Sequence, residues 1–283
     1  MSSFYFGRFG STPKAVKNII IINVAAYLLC LFFYYTRHID LHDYFALYFF
    51  KSEHFHFWQY LTYMFMHAYV NPATNRPEIY HILFNMFGLW MFGKALEGVW
   101  GSKRFWYYYI ITGVGAAALQ TLVYYIELRP LLNDAHALIN TPTPALFKDF
   151  ILNHVSNPNN QIDGFVKTWS ENPNNQELIN NAKTMIQDYE QTVINIPTVG
   201  ASGAVFGVLL AFGMLFPNVE IIMLFLPIPI KAKYFVVFYG LLELFFGITG
   251  IEKGVAHFAH IGGMLFGFVL IKYWNKFNRK SFY

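Results

Sequence analysis

The stretch Gly200-Ala201-Ser202-Gly203-Ala204-Val205-Phe206-Gly207 decides how the chain is read. It heads an apolar run from Ala204 to Phe216 that Pro217-Asn218 closes. A serine among small residues at the start of an apolar helix supports two readings. Gly203 and Gly207 form a small-xxx-small pair that lets another helix approach closely. The same open backbone also gives a substrate access to a serine nucleophile. The stretch alone favours packing, and the rest of the chain reverses that order.

Of the 283 residues, 55% are hydrophobic, 20% aromatic and only 13% charged. A soluble domain carries about a quarter charged residues. The deficit, with several long apolar runs, predicts an integral membrane protein. The net charge of +4 is small, and no nucleic-acid partner is expected. Cys30 is the sole cysteine, which excludes an intramolecular disulfide and a cysteine zinc site. The first apolar run starts too far in and is too long for a signal peptide, and no small-residue cleavage site follows it.

Six spans are expected: about Asn18 to Tyr35, Ile79 to Glu97, Phe105 to Ile126, the run beginning at Ser202, Tyr234 to Ile248, and Val255 to Tyr273. The apolar run Ile221 to Ile230, broken by Pro227 and Pro229, is expected to finish the fourth span or to form a re-entrant piece. Residues 39–80 are aromatic but interrupted by Lys51, Glu53, His54, His56, Gln59 and His67, so they read as short amphipathic helices at the membrane surface. Residues 127–196 are rich in Asn, Pro, Asp and Gln. Apolar residues recur at helical spacing in Leu146, Phe147, Phe150, Ile151 and Val155, and again in Leu178, Ile179, Met185 and Ile186. These predict a helical aqueous insertion of roughly 70 residues. Basic residues fall before span one (Arg8, Lys14, Lys17), between two and three (Lys94, Lys103, Arg104), between four and five (Lys231, Lys233) and after six (Lys276, Arg279, Lys280). The positive-inside rule puts these segments in the cytoplasm, and the outer loop 37–80, the insertion and the Glu252-Lys253 loop outside.

Polar groups inside apolar spans are costly and are functional candidates by default. Ser202 is the first. His260, in Ala259-His260-Ile261-Gly262-Gly263, is the second, and the topology places it at similar depth. Gly263 and Gly267 match Gly203 and Gly207, so two smooth helix faces would bring His260 within hydrogen-bond reach of the Ser202 hydroxyl. A neutral histidine there acts as general base and then as general acid. His81 and Asn85 are the third candidate, at i, i+4 on one helix face. Both supply hydrogen-bond donors suited to the oxyanion of an acyl intermediate. Phe206 lies one turn beyond Ser202, where its ring can stack on the His260 imidazole. No central Asp occurs in spans one to five, and the sequence does not match the depth of Glu243 to that of His260, so a two-residue arrangement is the simpler reading. His54, His56, His67 and His257 are read as interfacial histidines rather than a metal site. His257 is expected to face the outer water or the mouth of the site.

Three motifs together resemble the rhomboid family of intramembrane serine proteases: Gly200-Ala201-Ser202-Gly203, the Ala259-His260-Ile261-Gly262-Gly263 run, and His81-Ile82-Leu83-Phe84-Asn85 followed by Gly93, Glu97 and Gly101. The resemblance implies an all-α, six-transmembrane-helix bundle with a membrane-embedded first loop and a fifth span that moves to admit substrate. It implies a Ser202–His260 dyad opening to the outer face, with His81, Asn85 and the Ser202 backbone N–H stabilising the oxyanion and Gly200, Gly203, Phe206 and Gly263 in support. The substrates it implies are single-span membrane proteins in the lipid bilayer, cut after small residues, with no cofactor and no metal. A proteolytically inactive, client-binding relative is the alternative. Two departures stand out. Trp58-Gln59 occupies the place of a Trp-Arg pair in the first loop, and the insertion 127–196 precedes Ser202. The expected organisation is a cytoplasmic segment 1–17, a membrane domain over 18–126 and 197–275, the insertion 127–196, and a basic tail 276–283. The location expected is a bacterial inner membrane with both termini cytoplasmic; oligomeric state is left open.

Overall fold

The computed structural model describes residues 11–156, 161–223, 226–251 and 254–277. Arg8, the Asn157-Pro158-Asn159-Asn160 stretch of the expected insertion, Glu252-Lys253 and the basic tail beyond 277 lie outside the described residues. The chain is mostly helical. In order come α1 (Lys14–Arg37), α2 (His42–Phe45), α3 (Gln59–Thr62), a 3-10 turn (Tyr63–Phe65), β1 (Val70–Asn71), β2 (Arg76–Pro77), α4 (Tyr80–Asn140), α5 (Pro144–His154), α6 (Gln161–Glu171), α7 (Gln176–Ile194), α8 (Ser202–Leu215), β3 (Glu220–Met223), β4 (Leu226–Lys231), α9 (Ala232–Thr249) and α10 (His257–Phe277).

Among the described residues three helices, α1, α4 and α9, are long and apolar enough to cross a membrane, and α8 is a shorter apolar helix. Their outward faces are apolar as well. On α9, Val237, Phe238, Leu241 and Ile248 are all exposed, as suits helices whose solvent is lipid. Helix α4 is broken at Gly101, whose φ of 75° and ψ of 160° are open only to glycine. The break separates 80–100 from 102–140, where the sequence places the end of one span and the start of the next.

The chain forms two compact units. One lies within Met1–Leu47, His56–Thr121 and Pro197–Tyr283, and the other comprises Tyr48–Phe55 and Leu122–Ile196. The second unit has its own core, in which Phe147, Trp169, Ala182 and Ile186 are fully buried. Its helices start on local signals. Thr143 caps α5 by accepting from the Leu146 N–H, with Pro144 at the first helical position. Asn175 caps α7 by accepting from Glu177 and Leu178. The helix that carries the third expected span runs on past 126 as far as Asn140, with Pro130 inside it.

The run 221–230 corrects an expectation. It does not extend α8 to finish the fourth span: its described residues form the antiparallel strand pair β3–β4, with Ile221 opposite Ile230. The physical reason is the spacing of Pro227 and Pro229. Two prolines so close exclude a helix. Their two-residue spacing puts both missing N–H groups on one strand edge and leaves the other edge complete for pairing.

Within the first unit, the start of α1 has an unusual cap. Pro13 offers no side-chain acceptor. Instead Glu97, buried near the end of 80–100, accepts from the Ala15 N–H through Oε1 and the Val16 N–H through Oε2, both at 2.8 Å. The Ser102 hydroxyl, just past the Gly101 break, donates to the same Oε1 at 2.6 Å. A carboxylate at a helix N-terminus meets both the orphan donors and the positive end of the helix dipole. Glu97→Ala removes the acceptor from two buried N–H groups. We expect a stability loss of about 2–4 kcal/mol, read as a lower melting temperature in detergent, with Glu97→Gln intermediate because its single carbonyl oxygen serves only one donor well.

Candidate active site

The segment before Ser202 is held by the first loop. Leu47 and Thr198 exchange two backbone hydrogen bonds, of 3.0 and 2.8 Å, and the Gly200 N–H donates to the Tyr63 carbonyl at 3.0 Å. Gly200 has φ +126°, a conformation that favours glycine. The turn it makes delivers Ser202 as the first residue of α8. Backbone N–H groups of that first turn have no acceptor within the helix and point out of its N-terminus.

Helices α8 and α10 pack at backbone distance. A Cβ on Gly263 would lie 1.8 Å from the Gly203 carbonyl oxygen, and one on Gly207 would lie 3.0 Å from the Gly263 oxygen. This contact brings His260 to Ser202, with Nε2 2.7 Å from Oγ. Phe206 lies flat on the imidazole, with ring centroids 4.2 Å apart and planes at 7°. His260 is buried and Ser202 partly exposed.

His81 stands near the serine, across Gly200. A Cβ on Gly200 would meet His81 Nε2 at 2.9 Å and Ser202 Oγ at 3.5 Å, so the missing side chain leaves room between the two groups. The Ala68 N–H donates to His81 Nδ1 at 3.1 Å. Nδ1 is therefore the acceptor nitrogen, and in the neutral ring Nε2 carries the hydrogen. That is the tautomer an oxyanion donor requires. Asn85 is buried one turn on and donates from Nδ2 to the His81 carbonyl at 2.8 Å. This fixes its amide with one of two hydrogens used.

Two residues of this cluster were not placed by the sequence reading. Glu243 of α9 reaches the His260 ring, with Oε2 2.8 Å from Nδ1. The same oxygen lies 2.7 Å from Nδ1 of His257. The serine, His260 and Glu243 thus form a connected chain of three, where a two-residue site was the simpler expectation. His257 does not face water: it is 5% exposed, because its ring turns inward to the carboxylate. A signal was present. Glu243 is the only acid in α9, a buried carboxylate in an apolar helix demands a partner, and His257 and His260 share one helix face at i, i+3. Among the described residues, Glu243, His257 and His260 also present ligand atoms within 4.8 Å of one another, the spacing of a set able to hold a metal ion.

Gln59, in the place of the arginine, is fully buried and donates to the Tyr44 carbonyl at 3.4 Å, beside the 2.9 Å bond from Trp58 Nε1 to the same oxygen. The pair ties α3 to the end of α2. Of the other histidines read as interfacial, His67 is 1% exposed and pairs through Nε2 with Asn23 Oδ1 at 2.9 Å. It is a core residue.

A helical membrane chain with a hydrogen-bonded serine and histidine between two glycine-faced helices defines a narrow class. The family model described as Rhomboid domain matches residues 54–127 and 174–276. The chain belongs to the rhomboid family, whose members are intramembrane serine proteases and inactive relatives. No curated protein matches it. The backbone contact generates a prediction. Gly263→Ala places a methyl group against the Gly203 carbonyl, which cannot rotate away as a side chain would. We expect destabilisation of about 1–3 kcal/mol and a loss of any Ser202-dependent activity larger than the stability change explains, measured by melting and probe labelling on the same preparation.

Proposed function

We propose that the chain is an intramembrane serine endopeptidase that cleaves single-span membrane proteins. The observation that carries this reading is the 2.7 Å approach of Ser202 Oγ to His260 Nε2. The serine hydroxyl gives its proton to Nε2 as Oγ attacks the peptide carbonyl carbon. The negative charge moves to the carbonyl oxygen, where His81 Nε2–H, the Asn85 amide and the Ser202 backbone N–H stabilise it. Collapse expels the amine, protonated by His260, and leaves an acyl-serine. A water molecule, deprotonated by the same nitrogen, then releases the acid and restores Ser202.

In this reading the chain crosses the membrane six times with both termini cytoplasmic, the site opens toward the outer face, the first loop is embedded, and the membrane is a bacterial inner membrane. Small residues before the cut suit a site whose serine is bordered by Gly200, Ala201 and Gly203. The insertion 127–196 contacts the aqueous part of a substrate or partner.

The test is cleavage of a single-span substrate by the purified protein in liposomes. We expect wild type to cut, and Ser202→Ala and His260→Ala to lose about 10⁴-fold or more in kcat while staying folded. Wild type that binds the substrate yet neither cuts it nor reacts with a fluorophosphonate at Ser202 would assign the chain to the inactive relatives. Bulky residues preferred before the cut would contradict the small-residue pocket.

A further inference from the structure

We infer that Glu243 is the positioning residue of the site, its carboxylate holding His260 in the one tautomer that can take the serine proton, with His257 anchoring that carboxylate. The inference rests on the reading of Ser202 and His260 as nucleophile and base.

A carboxylate can only accept hydrogen bonds. Oε2 of Glu243 lies 2.8 Å from His260 Nδ1 and 2.7 Å from His257 Nδ1, so both Nδ1 atoms carry hydrogen. In neutral His260 this leaves Nε2 with its lone pair facing the Ser202 hydroxyl at 2.7 Å. The opposite tautomer would set the Nδ1 lone pair against the carboxylate and turn the serine into an acceptor. Phe206 does not decide between them, because a flat stack holds the plane of the ring equally well for either tautomer and for the ring flipped by 180° about Cβ–Cγ. Glu243 removes that ambiguity.

The carboxylate acts again once the proton arrives. The Ser202 Oγ–H bond breaks, the Nε2–H bond forms, the Nδ1 hydrogen stays in place, and Glu243 remains an anion beside the new imidazolium. The side chains are 13% and 9% exposed, so the attraction is weakly screened. His257 offsets the desolvation of the anion by a second donated bond. Its own ring lies against Phe246 of α9, with ring centroids 5.7 Å apart. All four side chains come from three helices: Ser202 from α8, Glu243 from α9, and His257 and His260 from α10.

The experiment measures fluorophosphonate labelling of Ser202 and cleavage kinetics on the full chain in detergent. Wild type that fails to label sinks the serine reading, and the Glu243 role with it. With wild type labelled, Glu243→Gln keeps the shape and removes the charge. We expect labelling rate and kcat to fall about 100-fold or more, KM to change less than about threefold, and Glu243→Asp to recover about tenfold over Gln. Labelling and kcat within about threefold of wild type in a folded Glu243→Gln protein would overturn the role of Glu243 and leave the serine reading intact. Should the Gln variant not fold, nitrogen-15 NMR of labelled histidine in wild type decides. The Nδ1–H tautomer of His260 is expected, and the Nε2–H tautomer overturns the proposal. Labelling lost on treatment with EDTA and restored by zinc would also overturn it, in favour of a metal ion on the same three atoms.

Discussion

The contact on which the site depends is made by atoms that are absent. Gly203 and Gly263 meet so closely that a side chain on Gly263 would overlap the opposite carbonyl. Only glycine permits that distance, and only that distance lets a serine on one helix bond a histidine on another without either leaving its helix. In lipid no hydrophobic force drives two apolar helices together, so van der Waals contact between smooth backbones and the few polar bonds must do so. The Ser202–His260 bond is thus both a product of the packing and part of what holds it.

The surrounding structure protects this contact by fixing what leads into it. The first loop engages the approach to Ser202 at Leu47–Thr198 and at Tyr63–Gly200. Tyr63 also donates to the Gly113 carbonyl at 2.7 Å, joining that loop to the 102–140 half of α4. Glu97 ties the start of α1 to the end of 80–100. Each tie uses a backbone group that folding takes out of water, and a buried group left unsatisfied costs about 1–3 kcal/mol. The same economy explains Gln59. Its neutral amide donates to a loop carbonyl, as an arginine would, but brings no buried charge.

The glycine pairs, Ser202, His260 and the His81–Asn85 pair were legible because each is a local pattern on an apolar background: a small residue at four-residue spacing or a polar one where none is expected. The strand pair was not. Ile221 to Ile230 is apolar enough to pass for a helix, and only the phase of Pro227 and Pro229 distinguishes a strand that can pair from a helix that cannot close its bonds. Glu243 and His257 were missed for another reason. Their partnership depends on the rotation of α9 about its own axis, and that helix is apolar on nearly every side, so no amphipathic stripe reports which face turns inward. The lone acid was itself the marker of that face.

Glu243 then sets a constraint on α9. This helix packs on its neighbours through small groups, with Gly240 facing Met264 and Gly247 facing Phe258, and presents most of its large side chains outward. Its polar link to α10 converges on one oxygen atom. A buried carboxylate removed from one partner is strongly destabilised, whereas one fully paired roughly balances its desolvation. The link therefore adds little to stability while intact and much to specificity of placement, since any rotation of α9 that withdraws Glu243 strands an anion in an apolar setting. Helix orientation and histidine tautomer are in this way fixed by the same atom. A truncation at Glu243 would disturb both at once, and only replacements that keep the shape and alter the charge separate the chemistry from the packing.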